Sequence, residues 1–221
     1  MNDLPNVEQS YSVEFIRKSV HLCSLSIPVT YYFLSKSTAL SILVPLTLVF
    51  AVADIARMYQ PSVGRLYNKY FGWLLRARER DIRDKRLNGA TYVLLSACLC
   101  VLIFPKLIVI TAFAILIVSD TVAALVGRKY GKHPFMKKSL EGTSAFFLSA
   151  LIVVAVAPKA GHVPGEYLIG VVAALIGALV ESMSIAIDDN LSIPLSVGTA
   201  MWLMYMLFLP SVNVFALDRI V

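Results

Sequence analysis

Charged residues are scarce in this sequence, and long stretches of it carry none. Asp, Glu, Lys and Arg together make up 15% of the 221 residues, whereas hydrophobic residues make up 58%. A soluble domain of this length could not shield so much apolar surface from water. The composition therefore excludes an ordinary soluble protein and indicates a chain that lies in a lipid bilayer.

Cysteine and histidine are also rare, with 3 residues of each type. Cys23, Cys98 and Cys100 all fall in apolar segments, and no CxxC pair or Cys/His spacing suits a zinc site. We interpret the cysteines as packing residues. The sequence also lacks internal repeats, low-complexity tracts and the pattern of a cleavable signal peptide. We expect residues 1–221 to form a single membrane-embedded domain.

Several apolar segments approach the length of about 20 residues that a membrane-spanning helix needs. Their apolar residues are continuous rather than alternating, and unpaired backbone groups are costly in lipid, so spanning β-strands are excluded. We predict an all-α, polytopic integral membrane protein with about seven transmembrane helices. The predicted limits of these helices are 17–35, 38–56, 89–105, 107–126, 142–158, 167–185 and 195–214.

The basic residues fall unequally on the two sides of this predicted bundle. If the N-terminal segment 1–16 is cytoplasmic, most of the 20 Lys and Arg residues face the cytoplasm, chiefly in the loops 57–88 and 127–141. The positive-inside rule then predicts a cytoplasmic N-terminus and a C-terminus on the outer side. Because the net charge of +6 is confined to short segments between apolar runs, we expect the bilayer and phosphate-bearing substrates as partners, and no nucleic acid.

Acidic residues inside the predicted helices are the most informative ones. A carboxylate at the centre of a spanning helix costs about 2.5–3.5 kcal/mol on insertion scales, so it needs a partner, a metal ion or a wet cavity. Asp120 and Glu181 lie towards the cytoplasmic ends of their predicted helices, and Asp188 and Asp189 follow Glu181 closely. We expect these acids to converge at the inner face, where their crowding requires a cation.

A basic loop with two glycines follows Asp120. Its Lys and Arg side chains can neutralise phosphate oxygens while an acid coordinates Mg²⁺ or another divalent cation. The alternative interpretation is a positively charged anchor at the membrane surface. The run from Gly127 to Lys132 is one residue too short for a P-loop, and His133 stands where the hydroxyl residue of a P-loop would be. A P-loop is therefore excluded.

Two other groups of polar residues could have either a structural or a functional role. Arg17, Lys18 and His21 form either a basic collar at the inner end of the first helix or part of the site. Asp54 and Arg57 are three residues apart on one helix face, and we expect them to pair with each other.

Several ordered motifs together resemble the polyprenol kinase family, which comprises dolichol kinases, phytol kinases and CTP-dependent diacylglycerol kinases. The resemblance extends from Arg17 to about Leu195. The matching blocks are Arg17-Lys18-Ser19-Val20-His21, Arg86-Leu87-Asn88-Gly89-Ala90-Thr91-Tyr92, Ser119-Asp120-Thr121, Gly127-Arg128-Lys129-Tyr130-Gly131-Lys132, Lys137-Lys138-Ser139-Leu140-Glu141-Gly142, Glu181-Ser182 and Ile187-Asp188-Asp189-Asn190-Leu191-Ser192-Ile193-Pro194.

The resemblance implies transfer of the γ-phosphoryl group of CTP, with Mg²⁺, to the hydroxyl of a membrane isoprenoid alcohol of the polyprenol, dolichol or phytol type. Only the resemblance, and no spacing or composition, points to cytidine. On this basis we assign hypothetical roles to individual residues. These are catalytic roles for Asp120, Glu181 and Lys138; metal binding by Asp120, Glu181, Asp188 and Asp189; and nucleotide binding by Gly127, Arg128, Gly131, Lys132, Lys137, Ser139, Gly142 and Asn190.

Other functions stay open at this point. Phosphatidate cytidylyltransferase (CDP-diacylglycerol synthase) has a loop similar to residues 127–142, but the block 187–194 and the short chain favour a kinase. An ion-coupled transporter would also place acids in the membrane, yet the paired halves with corresponding broken helices that it predicts are not found. The acceptor alcohol, with diacylglycerol as an alternative, and the oligomeric state, with a homodimer as one choice, stay open as well.

Overall fold

The computed structural model describes residues 11–72, 86–183 and 187–219. The predicted segments 1–16 and 57–88 therefore lie partly outside the described residues. Where described, the chain forms a bundle of helices. They are α1 (Tyr11–Cys23), α2 (Ser26–Tyr32), α3 (Lys36–Tyr59), α4 (Pro61–Phe71), α5 (Gly89–Ile103), α6 (Lys106–Tyr130), α7 (Leu140–Val156), α8 (Pro164–Met183) and α9 (Asp189–Phe208), followed by a 3-10 turn at Ala216–Arg219. A short antiparallel hairpin of β1 (Pro134–Phe135) and β2 (Lys138–Ser139) connects α6 to α7.

Helix α6 lies at the centre of the bundle and packs against α1, α2, α7 and α9. Ile108, Phe113, Ile115, Leu116 and Ile117 on this helix are completely buried. Because successive residues around the helix are apolar, α6 has no polar face to turn towards water, as expected for a helix enclosed by others. The enclosed helix therefore holds Asp120, in its C-terminal half, in a fixed position.

Four described helices, α3, α6, α8 and α9, are long and apolar enough to cross a membrane. Helices α5 and α7 are also apolar but contain 15 and 17 residues. At about 1.5 Å per residue they are shorter than a hydrocarbon core of about 30 Å. The chain is thus an all-helical integral membrane protein. The number of seven spans and the sides on which the termini lie stay predictions.

The first predicted span, 17–35, consists of two helices rather than one. Pro28 has no backbone N–H, so the carbonyl group of Ser24 cannot receive the usual hydrogen bond from four residues on. The N–H of Ile27 donates to that carbonyl instead, at 2.9 Å. The break separates α1 from α2, although both helices pack against α6.

Candidate active site

A cavity of about 540 Å³ lies where the C-terminal half of α6 meets α1, the hairpin and the neighbouring ends of α7, α8 and α9. We call it the charged cavity. Its lining residues are Glu14, Arg17, Lys18, Asp120, Ala123, Ala124, Gly127, Arg128, Lys137, Lys138, Ser139, Gly142, Glu181 and Asp189. The structure therefore brings three of the four predicted acids to one place, together with most of the predicted basic residues.

Asp120 is 6% exposed, and its main partner is a lysine from α1. The Nζ atom of Lys18 lies 2.5 Å from Oδ2 of Asp120 and also donates to the Asp120 carbonyl group at 3.2 Å. His21, one turn further along α1, places Nε2 3.7 Å from the same carboxylate oxygen. Because Lys18 is buried against Asp120, the interpretation as a collar at the membrane surface does not hold for this residue.

Lys138 bridges two acids on the opposite wall. Its Nζ atom donates to Oε1 of Glu181 at 2.6 Å and to Oδ2 of Asp189 at 3.0 Å. The hairpin that carries Lys138 is held against the end of α8, because the N–H of Lys137 donates to the carbonyl group of Ser182 at 3.1 Å. Burial lowers the pKa of Lys138, but the carboxylates of Asp189 and Glu181 outweigh this effect and raise the pKa above its usual value. Lys138 is thus a stable positive charge inside the site.

A third ion pair connects α1 to the end of α6. Glu14 is buried, forms an ion pair with Arg17 on the next turn, and lies 3.4 Å from Nη2 of Arg128 through its Oε2 atom. Glu14 was not among the predicted site residues, and for Lys18 the sequence left open a basic collar or a place in the site. For Glu14, the only local signal in the sequence was its spacing of three residues from Arg17, which places both on one helix face. For Lys18 the signal was its place in the first family-like block.

The predicted glycines are explained first by packing of the chain against itself. A Cβ atom on Gly142 would lie 3.3 Å from Cα of Gly127, and one on Gly131 would lie 2.8 Å from Oγ of Ser139. Ser139 also caps α7, since its Oγ accepts the N–H of Gly142 at 3.2 Å. The absence of side chains at these positions allows α6, the hairpin and α7 to approach closely. Gly127, Ser139 and Gly142 still line the charged cavity, and their contact with a nucleotide stays a prediction.

Four predicted site residues, Gly131, Lys132, Asp188 and Asn190, are not among the residues that line the charged cavity. Lys132 is exposed beyond the end of α6. Asp188 caps the start of α9, where its Oδ1 accepts the backbone N–H of Asn190 at 3.0 Å and the side-chain amide of Asn190 at 2.7 Å. Asp188 and Asn190 therefore stabilise the start of α9. The first residue of this helix, Asp189, contacts Lys138.

The acids of the charged cavity do not form a complete metal-binding site by themselves. Among the described residues, no group of three or more His, Cys, Asp or Glu side chains is close enough to hold a metal ion. Oε2 of Glu181, however, is buried and has no hydrogen-bond partner. Nucleotide-dependent enzymes usually hold Mg²⁺ with one or two carboxylates together with the phosphates of the substrate. Glu181 and Asp189 fit such an ion, and metal binding stays a prediction.

The predicted pair of Asp54 and Arg57 is present, 3.1 Å apart, and belongs to a different network. Asp54 is completely buried and accepts hydrogen bonds from the N–H of Asn88 and the hydroxyl of Thr91, both at 2.8 Å. Arg57 also donates to the carbonyl group of Arg86 at 3.0 Å. This network attaches the end of α3 to the start of α5.

The fold and the site together define an integral membrane protein in which buried acids and lysines meet in one cavity. The chain is 30% identical over 190 residues to an uncharacterized protein of Rickettsia prowazekii, a match that covers 85% of this chain and 93% of that protein. It is 30% identical over 156 residues to CTP-dependent diacylglycerol kinase 1 of Schizosaccharomyces pombe, covering 64% of this chain and 69% of the kinase. A probable chloroplastic phytol kinase of Triticum aestivum is 30% identical over 138 residues, or 46% of its length.

No family model and no solved structure matches the chain. The extent of the match to the kinase of Schizosaccharomyces pombe nevertheless shows the relationship. The chain belongs to the lipid kinase family that contains this protein, in agreement with the resemblance found in the sequence motifs.

Proposed function

We propose that this protein is a CTP-dependent lipid kinase that transfers the γ-phosphoryl group of CTP to the hydroxyl of a membrane lipid alcohol. The observation that carries the proposal is the charged cavity, where Lys18 is held by the buried carboxylate of Asp120, and Lys138 by the buried Glu181 and the half-buried Asp189. The names of the related diacylglycerol kinases support CTP as the phosphoryl donor.

The basic side chains of the cavity bind the triphosphate. Phosphoryl transfer depends mainly on positioning and on stabilising the charge of the equatorial oxygens. Arg128 and Lys137 at the rim attract the β- and γ-phosphates, and Lys138, fixed by Glu181 and Asp189, provides a positive charge deeper inside. Because Lys138 is already held in place, it binds the phosphates without first losing the freedom of a mobile side chain.

Asp120 orients the acceptor. The hydroxyl of the lipid donates a hydrogen bond to the Asp120 carboxylate, and its oxygen forms a bond to the γ-phosphorus. The bond between that phosphorus and the β–γ bridging oxygen breaks, CDP leaves with the electron pair, and the hydroxyl proton passes to Asp120. Lys18 keeps the carboxylate in position for this contact.

Mg²⁺ bound with the nucleotide would neutralise charge on the β- and γ-phosphates. Glu181, through its unpartnered Oε2 atom, and Asp189 are the residues that would hold it. The predicted metal ligands were Asp120, Glu181, Asp188 and Asp189. We leave out Asp188, because its carboxylate caps the start of α9, and Asp120, because we assign it to the acceptor.

The acceptor that we propose is an isoprenoid alcohol of the polyprenol, dolichol or phytol type. The related phytol kinase supports this choice through its name. Diacylglycerol is the second candidate, because the relatives named as diacylglycerol kinases match a larger share of this chain.

The test is a product assay with purified protein in lipid nanodiscs. The protein is incubated with γ-labelled CTP, Mg²⁺ and, in separate reactions, polyprenol, phytol, geranylgeraniol or diacylglycerol. We expect CDP and a labelled lipid phosphate with one of these alcohols, and formation of both products about 10²–10³-fold more slowly in the Asp120→Asn variant. In a parallel reaction with phosphatidate, release of pyrophosphate would identify a cytidylyltransferase instead, and no acceptor-dependent turnover with any alcohol would refute the kinase proposal.

We further propose that residues 1–221 act as one membrane domain with the site on the cytoplasmic face. The support is the excess of Lys and Arg in the segments that surround the charged cavity. A membrane-impermeant maleimide should label Lys132→Cys in inverted vesicles and not in intact cells. The reverse pattern would contradict the proposed orientation.

A further inference from the structure

A second cavity, of about 470 Å³, adjoins the charged cavity. Its lining residues are Arg17, Lys18, Val20, His21, Ser24, Val49, Phe50, Ala53, Tyr67, Phe71, Asn88, Gly89, Ala90, Val93, Asp120 and Asn190. We call it the apolar cavity. Arg17, Lys18 and Asp120 line both cavities, so the two spaces adjoin each other around these residues.

The polar and apolar walls of the apolar cavity are separated. The charged residues lie on α1 and α6, around Asp120. The side contributed by α3 consists of Val49, Phe50 and Ala53, and Val93 of α5 adds to it. Polar side chains of Ser24, Tyr67, Asn88 and Asn190 also line the cavity, but most of its remaining wall is apolar. A mostly apolar space with one charged corner suits an amphiphile that has a single polar end.

The apolar cavity has its mouth on the flank of the bundle. Val20 on α1, Val49 on α3 and Phe71 on α4 line the cavity and are nevertheless 50%, 64% and 51% exposed. Apolar residues that are exposed on the flank of a membrane protein face lipid chains. A molecule dissolved in the membrane can therefore enter between α1 and α3 without passing through water.

One side of this mouth is held in place by hydrogen bonds. The side-chain amide of Asn88 donates to the hydroxyl of Tyr67 on α4 at 2.9 Å and to Oδ1 of Asp54 at 3.0 Å. The guanidinium group of Arg57 lies over the ring of Tyr67, 5.2 Å from its centre. The network that joins α3 to α5 thus also positions α4, which contributes Phe71 to the opening.

We infer that the apolar cavity binds the chain of the lipid acceptor, which enters sideways from the membrane and places its hydroxyl at Asp120. This inference rests on the proposed kinase function. The nucleotide reaches Asp120 from the charged cavity and the lipid from the apolar cavity, so the two substrates meet beside this carboxylate. A lipid that fills the apolar cavity also keeps water away from the γ-phosphate, which limits hydrolysis of CTP.

Two alanines, Ala53 on α3 and Ala90 on α5, line the apolar cavity. We expect Ala53→Phe and Ala90→Phe each to raise the KM for the lipid alcohol by at least about tenfold, because the larger side chain takes the space of the lipid. The KM for CTP should stay within about twofold of the wild-type value, since neither residue lines the charged cavity. Val52→Phe is the matched control, because Val52 is adjacent to Ala53, 63% exposed, and not among the lining residues.

A second measurement does not depend on catalysis. Protein in nanodiscs, without CTP, is photolabelled with a long-chain primary alcohol that carries a diazirine in its chain, and the labelled peptides are identified by mass spectrometry. We expect labelling of residues 49–53 that an excess of unlabelled alcohol prevents. The label should be lost in Ala53→Phe and retained in Val52→Phe.

The outcomes separate this inference from the kinase proposal. If labelling at 49–53 is absent, or is equally strong in Ala53→Phe, the acceptor does not bind in the apolar cavity, even if the protein is an active kinase. If labelling follows the expected pattern but no alcohol is phosphorylated, the cavity binds lipid alcohols and the kinase proposal fails. Equal KM values for lipid alcohol in Ala53→Phe, Ala90→Phe and wild type would also overturn the inference.

Discussion

The bundle buries carboxylates near its two opposite ends, and their partners differ in kind. Glu166, in the first turn of α8, is 1% exposed and accepts four hydrogen bonds, from three backbone N–H groups within residues 160–163 and from the hydroxyl of Tyr205. Asp120, towards the other end, is held by the long side chain of Lys18 and faces two cavities. The first carboxylate is enclosed by its partners, whereas the second lines two cavities.

This difference separates structural from functional acids within the membrane. An ionisable residue in a spanning helix is by default a candidate functional residue. We propose that this default fails where backbone groups satisfy the carboxylate, as they do for Glu166. Asp54 would be a second example, because Asn88, Thr91 and Arg57 surround it. Substitution of Asp120 should therefore lower activity, whereas substitution of Glu166 or Asp54 should lower stability.

The largest effect is expected for Asp120→Asn. The neutral amide no longer accepts the hydroxyl proton, and we expect kcat to fall by about 10²–10³-fold, comparable to the loss of one group that stabilises a transition state. The measurement is the initial rate of lipid phosphate formation from CTP at saturating substrates. A rate within tenfold of wild type would show that Asp120 belongs to the structural class.

A double variant tests whether this loss reflects unfolding. Asp120→Asn leaves the buried Lys18 without its ionised partner, and broken buried pairs cost several kcal/mol. Lys18→Met combined with Asp120→Asn removes both charges and should recover thermal stability. Activity should remain absent. Recovery of activity along with stability would mean that the pair has only a structural role.

The next largest effect is expected for Lys138→Met. This substitution removes the positive charge between Glu181 and Asp189 and leaves the two acids to repel the triphosphate. We expect kcat/KM for CTP to fall by about 10²-fold. Lys129→Met is the matched control, since Lys129 is an exposed lysine of the same basic segment and is not among the residues that line the charged cavity. Similar losses in both variants would reduce the role of Lys138 to general surface charge.

Much of the fold could be predicted from the sequence, because lipid forces apolar segments to form helices. One exception, at residues 17–35, has a local cause, Pro28, which is visible in the sequence and ends the regular hydrogen bonding between α1 and α2. Another is the last predicted span, 195–214, since the helix there is Asp189–Phe208. The short lengths of α5 and α7 leave the number of spans undecided, since their ends depend on flanking turns rather than on hydropathy.

The site could be predicted only in part. Asp120, Glu181 and Asp189 were identified because acids are costly in a membrane, and the structure brings all three to the charged cavity. The partner of Asp120 was not identified, because Lys18 lies 102 residues away in the chain and basic residues near a helix end have an equally good explanation in topology. The apolar cavity could not be predicted at all, since its walls come from helices whose apolar residues give no local signal.

A smaller effect, on stability alone, is expected for Glu166→Gln. The amide keeps one oxygen as an acceptor but presents an NH₂ group to backbone N–H donors, which leaves part of the cluster at residues 160–163 unsatisfied. We expect the free energy of unfolding to fall by about 1–3 kcal/mol, measured as a lower thermal midpoint in detergent. At temperatures where the variant is folded, kcat should equal the wild-type value. A loss of kcat without a loss of stability would place Glu166 among the functional acids.

The smallest effect is expected for Thr91→Val, which removes one of the hydrogen bonds to Asp54 and keeps the shape of the side chain. Hydrogen bonds between membrane helices contribute about 0.6 kcal/mol on average, and a loss of this size is expected here because Arg57 and Asn88 still hold the carboxylate. Thr111→Val is the control, since its buried hydroxyl bonds only to the carbonyl group of Leu107 in the same helix. Thr91→Val could instead lower kcat for the lipid alcohol while Thr111→Val does not. In that case the Asp54 network acts on the acceptor through α4 and the mouth of the apolar cavity, and Asp54 has a functional role although its partners enclose it.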